Sequence, residues 1–171
     1  MKLLYLLRHA KSSWSDPGLA DPERPLAPRG RWATTALARH LRREDIQPAL
    51  VLCSPALRTV ETFERIASAF GAGVTLLVDD ELYGASGEEL VHRLQAVPET
   101  VSSVMVIGHN PGLQSLAVLL VGDGEPRAIE RVRTKFPTGA LATLAIPHDA
   151  WRALEPGRAR LVGFIVPKEL S

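Results

Sequence analysis

Residues 1–13 read MKLLYLLRHAKSS. From Lys2 to Leu7 the run is almost entirely apolar, and then Arg8 and His9 arrive together. A short, strongly apolar run reads as a strand buried on both faces of a sheet. In open α/β sheets, ligands bind just beyond the carboxyl ends of the strands, which is where Arg8 and His9 stand. Arginine is an obligate cation whose planar fork of donors suits phosphate or carboxylate. Histidine is the side chain most readily tuned to act as nucleophile or base near neutral pH. The pair reads as a catalytic imidazole beside an anion clamp. Taken alone, the dipeptide reads better as a surface Arg-His pair ending a strand, so the rest of the chain must decide.

Two further runs repeat the pattern. Ala49 to Cys53 is apolar and leads into SPALRTVET, which carries Arg58; Val104 to Ile107 leads into GHNPG, which carries His109. Three strand-like runs thus each deliver a phosphate-type residue at the carboxyl end. RHAKS, SPALRTVET and GHNPG, in that order, resemble the histidine phosphatase superfamily, also called phosphoglycerate-mutase-like. The length and the later KFPTGAL and VPKEL segments are similar to its short bacterial branch, the phosphohistidine phosphatases. The resemblance covers nearly the whole chain, with Ala10 at the third position of the usual Arg-His-Gly motif. It implies helices on both faces of the sheet and an active site at the carboxyl edge.

A chain of 171 residues predicts one domain spanning 1–171. Lys+Arg 20 against Asp+Glu 19 leaves a net charge of +1, which provides no general field for nucleic acid or an anionic membrane. Cys53 is the only cysteine, so no internal disulfide can form, in keeping with a reducing compartment. The apolar core LLYLL is too short for a signal peptide and Arg8 interrupts it. Leu113 to Val121 is too short to span a membrane and contains Gln114 and Ser115. These features describe a soluble cytoplasmic protein; nothing in them specifies an oligomeric state.

Along the chain, residues 14–28 form a Pro-rich loop that leads into a helix from about Pro28 to Arg43. Ala33, Leu37 and Leu41, with Ala36 beside them, give that helix its apolar stripe, and His40 reads as a packed helix histidine. A second helix is expected over Pro55 to Phe70, with Val60, Phe63, Ala67 and Phe70 facing inward and Arg58 in its first turn. Val74 to Val78 reads as a strand followed by Asp79, Asp80 and Glu81, and Ser86 with Glu89 makes a capping box for the next helix. Leu113 to Val121 is an apolar helix, Gly122 to Thr138 is irregular with one short helix near Pro126 to Val132, and Ala140 to Ile146 and Arg160 to Val166 are the last strands. Alternating strands and helices imply an α/β sandwich with a mostly parallel central sheet.

On this reading His9 is the nucleophile and carries the phosphoryl group transiently. Arg8, Arg58 and His109 hold the non-bridging oxygens through the transition state, and Ser13 and Asn110 add neutral donors. The chain has no His-x-His, no His-Glu-x-x-His and no cysteine pair, so neither a metal nor another cofactor is expected. Superfamily members that act on esters generally use a Glu after the third strand as leaving-group acid. Glu81 is the first choice, Asp80 the second, and an ordinary acidic turn the rival reading. Two other functions compete. In a thiol phosphatase built on Cys53, only four residues separate Cys53 from Arg58, one fewer than that signature requires. In a non-catalytic phospho-ligand module, one of the four core residues would be missing, yet all are present. The expected substrate is a phosphohistidine-bearing protein or, failing that, a small phosphorylated molecule.

Overall fold

In β1 (Lys2–Arg8) successive side chains enter different cores. Leu4 and Leu6 pack into a large apolar cluster on one face, while Tyr5 and Leu7 join a smaller cluster on the other. β2 (Leu50–Cys53) and β4 (Ser103–Gly108) divide in the same way: Leu52, Val104 and Val106 on one side, Val51, Cys53, Met105 and Ile107 on the other. Side chains that alternate across a strand can all be apolar only if both faces are covered. α1 (Pro28–Arg43) and α2 (Leu57–Ile66) cover the smaller cluster through Leu37, Leu41 and Ile66. α3 (Gly87–Gln95), α4 (Gly112–Leu120) and α5 (Pro126–Thr134) cover the larger one through Leu90, Leu116 and Val132. The result is three layers.

The computed structural model describes residues 1–170. Among them, β3 (Thr75–Val78), β5 (Val121–Gly124), β6 (Leu141–Ile146) and β7 (Ala159–Ile165) complete a seven-stranded sheet of order β3-β2-β4-β1-β6-β7-β5. The half from β3 to β1 is parallel, β6 is antiparallel to both β1 and β7, and β5 runs parallel to β7. Register matters most for function. Ile107 lies opposite both Leu7 and Cys53, so β1, β4 and β2 end level with one another.

Local chemistry explains the element ends. Pro28 opens α1, the Ser86–Glu89 capping box opens α3, and the Glu125 carboxylate accepts from the Arg127 and Ala128 amides at 3.1 and 2.7 Å to open α5. Three sequence expectations shift. The second helix begins at Leu57 rather than Pro55 and ends at Ile66, followed by a 3₁₀ turn at Ala67–Ala69. Its most buried face is Arg58, Thr59, Thr62 and Ile66, with Val60 and Phe63 at the flank, because the helix also has to carry Arg58 to the sheet edge. Val121–Gly124, read as a helix end and loop, is edge strand β5. A Cβ at Gly122 would overlap the Gly157 carbonyl, so this strand needs the glycine that makes it look like a loop.

The two-sided burial of β1 gives a stability prediction. Leu6 is fully buried, so Leu6→Ala should lower the unfolding free energy by about 2–5 kcal/mol. Val162, 58% exposed, should tolerate Ala with a loss under about 1 kcal/mol. Denaturant unfolding of both variants checks the contrast.

Candidate active site

The level ends of β1, β4 and β2 bring Arg8, His9, His109 and Arg58 to one edge of the sheet. The His9 amide donates to the Gly108 carbonyl at 3.1 Å, and the Ser54 amide to the Ile107 carbonyl at 3.1 Å, so the three exits are tied side by side. Thr62 then locks α2 to β1. Its hydroxyl accepts from the Ala10 amide at 3.1 Å and donates to the Arg58 carbonyl at 2.7 Å. α1 closes the other side: a Cβ at Gly30 would overlap the Lys11 carbonyl oxygen. The loop after His9 therefore rests directly on helix backbone.

The His9 and His109 rings lie 5.3 Å apart, centroid to centroid. His9 is buried and its Nδ1 stands 2.7 Å from the Ala10 carbonyl oxygen. A carbonyl only accepts, so the neutral ring carries its proton on Nδ1 and keeps the Nε2 lone pair free. Burial pushes the His9 imidazole down to about 3. The Ala10 carbonyl opposes this, while His109, Arg58 and Arg8 add to it. His109 is lowered to about 4, first by burial and then by Arg58, against the pull of Asp21. Its Nδ1 accepts from Arg58 Nη2 at 3.4 Å, which places the proton on Nε2, and that N–H donates to Ser54 Oγ at 2.7 Å.

Arg8 donates through Nη1 to the Phe136 carbonyl at 3.0 Å, and its Nε is buried without a partner. A buried, unpaired guanidinium donor is costly unless an anion oxygen takes it. Arg58 donates to the Asp21 carbonyl at 2.8 Å and to the Asp21 carboxylate at 3.0 Å. Both guanidiniums are thus oriented before any ligand arrives.

The other candidates occupy different places. Asn110 directs one amide hydrogen to the Phe136 carbonyl at 2.9 Å, and its oxygen accepts from the Gln114 amide. The Ser13 hydroxyl pairs with Ser15, and its carbonyl accepts from Arg24 Nε at 3.0 Å, so its contacts lie within the Pro-rich rim. Glu81 is exposed in a 3₁₀ turn, with its amide donating to Asp79. Among the described residues, neither Glu81 nor Asp80 makes a side-chain hydrogen bond or ion pair with the cluster.

Sequence reasoning missed Asp21 and Tyr83. Asp21 reaches in from the rim loop, and its carboxylate holds Arg58, Arg24 and the Tyr83 hydroxyl. The Tyr83 ring stands edge-on to His109 at 5.6 Å. Hydrogen bonds from Tyr83, Arg58 and Arg24 pull the Asp21 carboxyl down to about 2, against a smaller opposing effect of burial. The one available signal was local: Asp21 and Arg24 bracket a Pro-Glu pair at a spacing suited to one helical turn. Among the described residues no group of three or more His, Cys, Asp and Glu side chains is placed to hold a metal ion, and no helix is long and apolar enough to cross a membrane.

Comparison with known proteins supplies the family. Residues 4–88 match the histidine phosphatase superfamily, branch 1. A protein of unassigned role from Mycobacterium tuberculosis is 37% identical over 164 residues, covering 95% of this chain and all of its own. The chain belongs to the histidine phosphatase superfamily. Within it, the likeness extends to the SixA group. The crystal structure of the provisionally named phosphohistidine phosphatase SixA of Agrobacterium tumefaciens superposes with a TM-score of 0.82 at 31% identity, covering 97% of this chain and 98% of that one. The phosphohistidine phosphatase SixA of Escherichia coli is 29% identical over 149 residues, 85% of this chain and 86% of its own.

Two titration outcomes follow. Histidine NMR should find His9 neutral, with its proton on Nδ1, down to about pH 5. Half-protonation near the ordinary 6.5 would contradict the geometry. The unfolded chain takes up this proton near 6.5, whereas the folded chain refuses it until about 3. Stability should therefore fall as pH drops through that window, and His9→Gln should flatten the fall. Urea unfolding at a series of pH values measures it.

Proposed function

We propose that the protein is a phosphatase that removes the phosphoryl group from protein-borne phosphohistidine, carrying it transiently on His9. The observation that carries this reading is the buried, neutral His9 ring, fixed through Nδ1–H on Ala10 beside two pre-oriented guanidiniums. In the first step the Nε2 lone pair of His9 bonds to phosphorus as the substrate P–N bond breaks. The leaving ring keeps that electron pair and its own ring proton, and departs as neutral imidazole. In the second step a water oxygen bonds to phosphorus and the P–Nε2 bond breaks. Both water protons leave with the phosphate, and His9 is again the neutral Nδ1–H tautomer. Arg8, Arg58 and His109 stabilise the phosphoryl oxygens throughout. Two guanidiniums supply the positive charge, so no metal is needed.

The substrate class follows from which groups can give a proton. The Asp21 carboxyl, at about 2, is ionised at neutral pH, and His109, at about 4, is neutral. Among the described residues the Glu81 side chain makes no hydrogen bond or ion pair with the cluster. A protonated imidazole leaves readily without an added acid, whereas an alkoxide needs one. This balance favours P–N over P–O substrates. Cys53 is fully buried and burial pushes its thiol up to about 12, which counts against a thiolate nucleophile. Asp21 is a positioning residue: it aims Arg58.

Substitutions test the roles. His9→Ala should abolish turnover of phosphohistidine and phosphoramidate, while Cys53→Ser should keep most of it. Arg58→Ala should lower kcat by about 10²–10³-fold, the scale of a lost transition-state donor. Asp21→Asn should lower kcat less than Arg58→Ala does. Steady-state kinetics on phosphohistidine, phosphoramidate and an alkyl phosphate ester should rank the ester last in kcat/KM. Equal or better turnover of the ester would overturn the substrate assignment.

A further inference from the structure

Beside the catalytic edge lies a groove of about 710 Å³ between the first turns of α1, one face of α5 along its length and the carboxyl end of β7. Its lining carries six basic side chains and one acid, Glu130. The whole chain has a net charge of only +1, so positive charge is concentrated here. Arg131 is neutralised by Glu169 at 2.6 Å. Lys11, Arg29, Arg127, Lys135 and Lys168 have no carboxylate within ion-pair distance among the described residues. The floor is apolar, and Trp32 stands 64% exposed in its wall.

The groove and the phosphoryl site share backbone. Lys11 follows His9 by two residues. Lys135 and Pro137 flank Phe136, whose carbonyl holds Arg8. Thr138 precedes Gly139, whose amide donates to the Arg8 and His9 carbonyls at 3.0 and 2.9 Å. The groove therefore lies within reach of a chain whose phosphorylated residue sits at His9.

We propose that this groove docks an acidic segment of the phosphorylated protein substrate. The proposal rests on the reading of His9 as acting on protein-borne phosphoryl groups and names what else that protein must present. Carboxylates complement the five cations without an ion-pair partner among the described residues, and apolar neighbours in the same segment suit the Trp32 wall and apolar floor. A nucleic acid fits less well, because one exposed ring in the groove is a poor stacking platform for successive bases.

The test uses the full chain and two labelled peptides, one with a run of Asp and Glu and one with Ser and Gln in their place. Neither is phosphorylated, so binding, read by fluorescence anisotropy, is independent of the chemistry. The acidic peptide should bind, with affinity falling as salt rises, and the neutral one should not. Arg29→Glu with Arg127→Glu should weaken the acidic peptide by about tenfold. Both positions are exposed first-turn sites, where an acidic side chain suits the helix dipole. The double Gln variant should give a smaller loss of the same sign. Phosphohistidine versions of the peptides then report kcat/KM. The Glu variant should raise KM for the acidic peptide alone and leave phosphoramidate turnover unchanged. Equal binding of both peptides, an unchanged Kd in the double variant, or tighter binding of a single-stranded oligonucleotide would overturn the docking proposal. Acidic-peptide binding with no phosphohistidine turnover by the wild type would instead overturn the substrate reading and leave the groove assignment standing.

Discussion

A neutral imidazole buried against two guanidiniums is the constraint on which the rest of this site depends. Such a ring cannot take a proton without adding a third positive charge to a partly dehydrated pocket. Burial and the neighbouring cations therefore act together to keep His9 in its nucleophilic form. The same cations attract the dianion that the ring would attack. Ground-state repulsion between Arg8 and Arg58 would be relieved by an arriving phosphoryl group.

Holding like charges together requires a rigid frame. Parallel pairing through β4 sets the three strand exits level, and the Thr62 hydroxyl bridges the β1 exit and the first turn of α2. Asp21 supplies the one counter-charge, and it comes from the rim loop rather than the sheet. The rim thus does more than bound the cleft. It orients Arg58 through both backbone carbonyl and carboxylate, and the Tyr83 hydroxyl ties the same carboxylate toward His109. Because that carboxylate is already committed to three donors, it is a poor proton source, and this separates the P–N from the P–O reading.

What could be read from the sequence, and what could not, follows from range. The β1, β2 and β4 runs announce themselves because burial on both faces leaves no polar position to confuse the pattern, and each ends on Arg, Ser or His at the sheet edge. The level register of those ends was not legible, since it depends on pairing across about fifty residues or more. Asp21 sits in a loop whose prolines say where the chain is stiff but not where it folds back. β5 hides behind two glycines, Gly122 demanded by close approach to the Gly157 backbone and Gly124 by a positive φ beside Leu161. The inner stripe of α2 is polar in part because Thr59 and Thr62 bond to backbone, so apolar periodicity pointed to Val60 and Phe63 instead. Glu81, the acid expected after the third strand, lies in a turn that buries Leu82 and leaves the Glu81 side chain exposed.

The most direct test of the central claim is to trap the phosphoenzyme and locate its phosphorus. Rapid quenching during turnover of phosphoramidate, followed by ³¹P NMR and mass spectrometry under alkaline conditions, distinguishes the two ring nitrogens and the thiol. With Nδ1–H fixed on the Ala10 carbonyl, only Nε2 keeps a free lone pair, and the phosphoryl group should be found on Nε2 of His9 and nowhere else. Phosphate on His9 Nδ1, on His109 or on Cys53 would contradict the account.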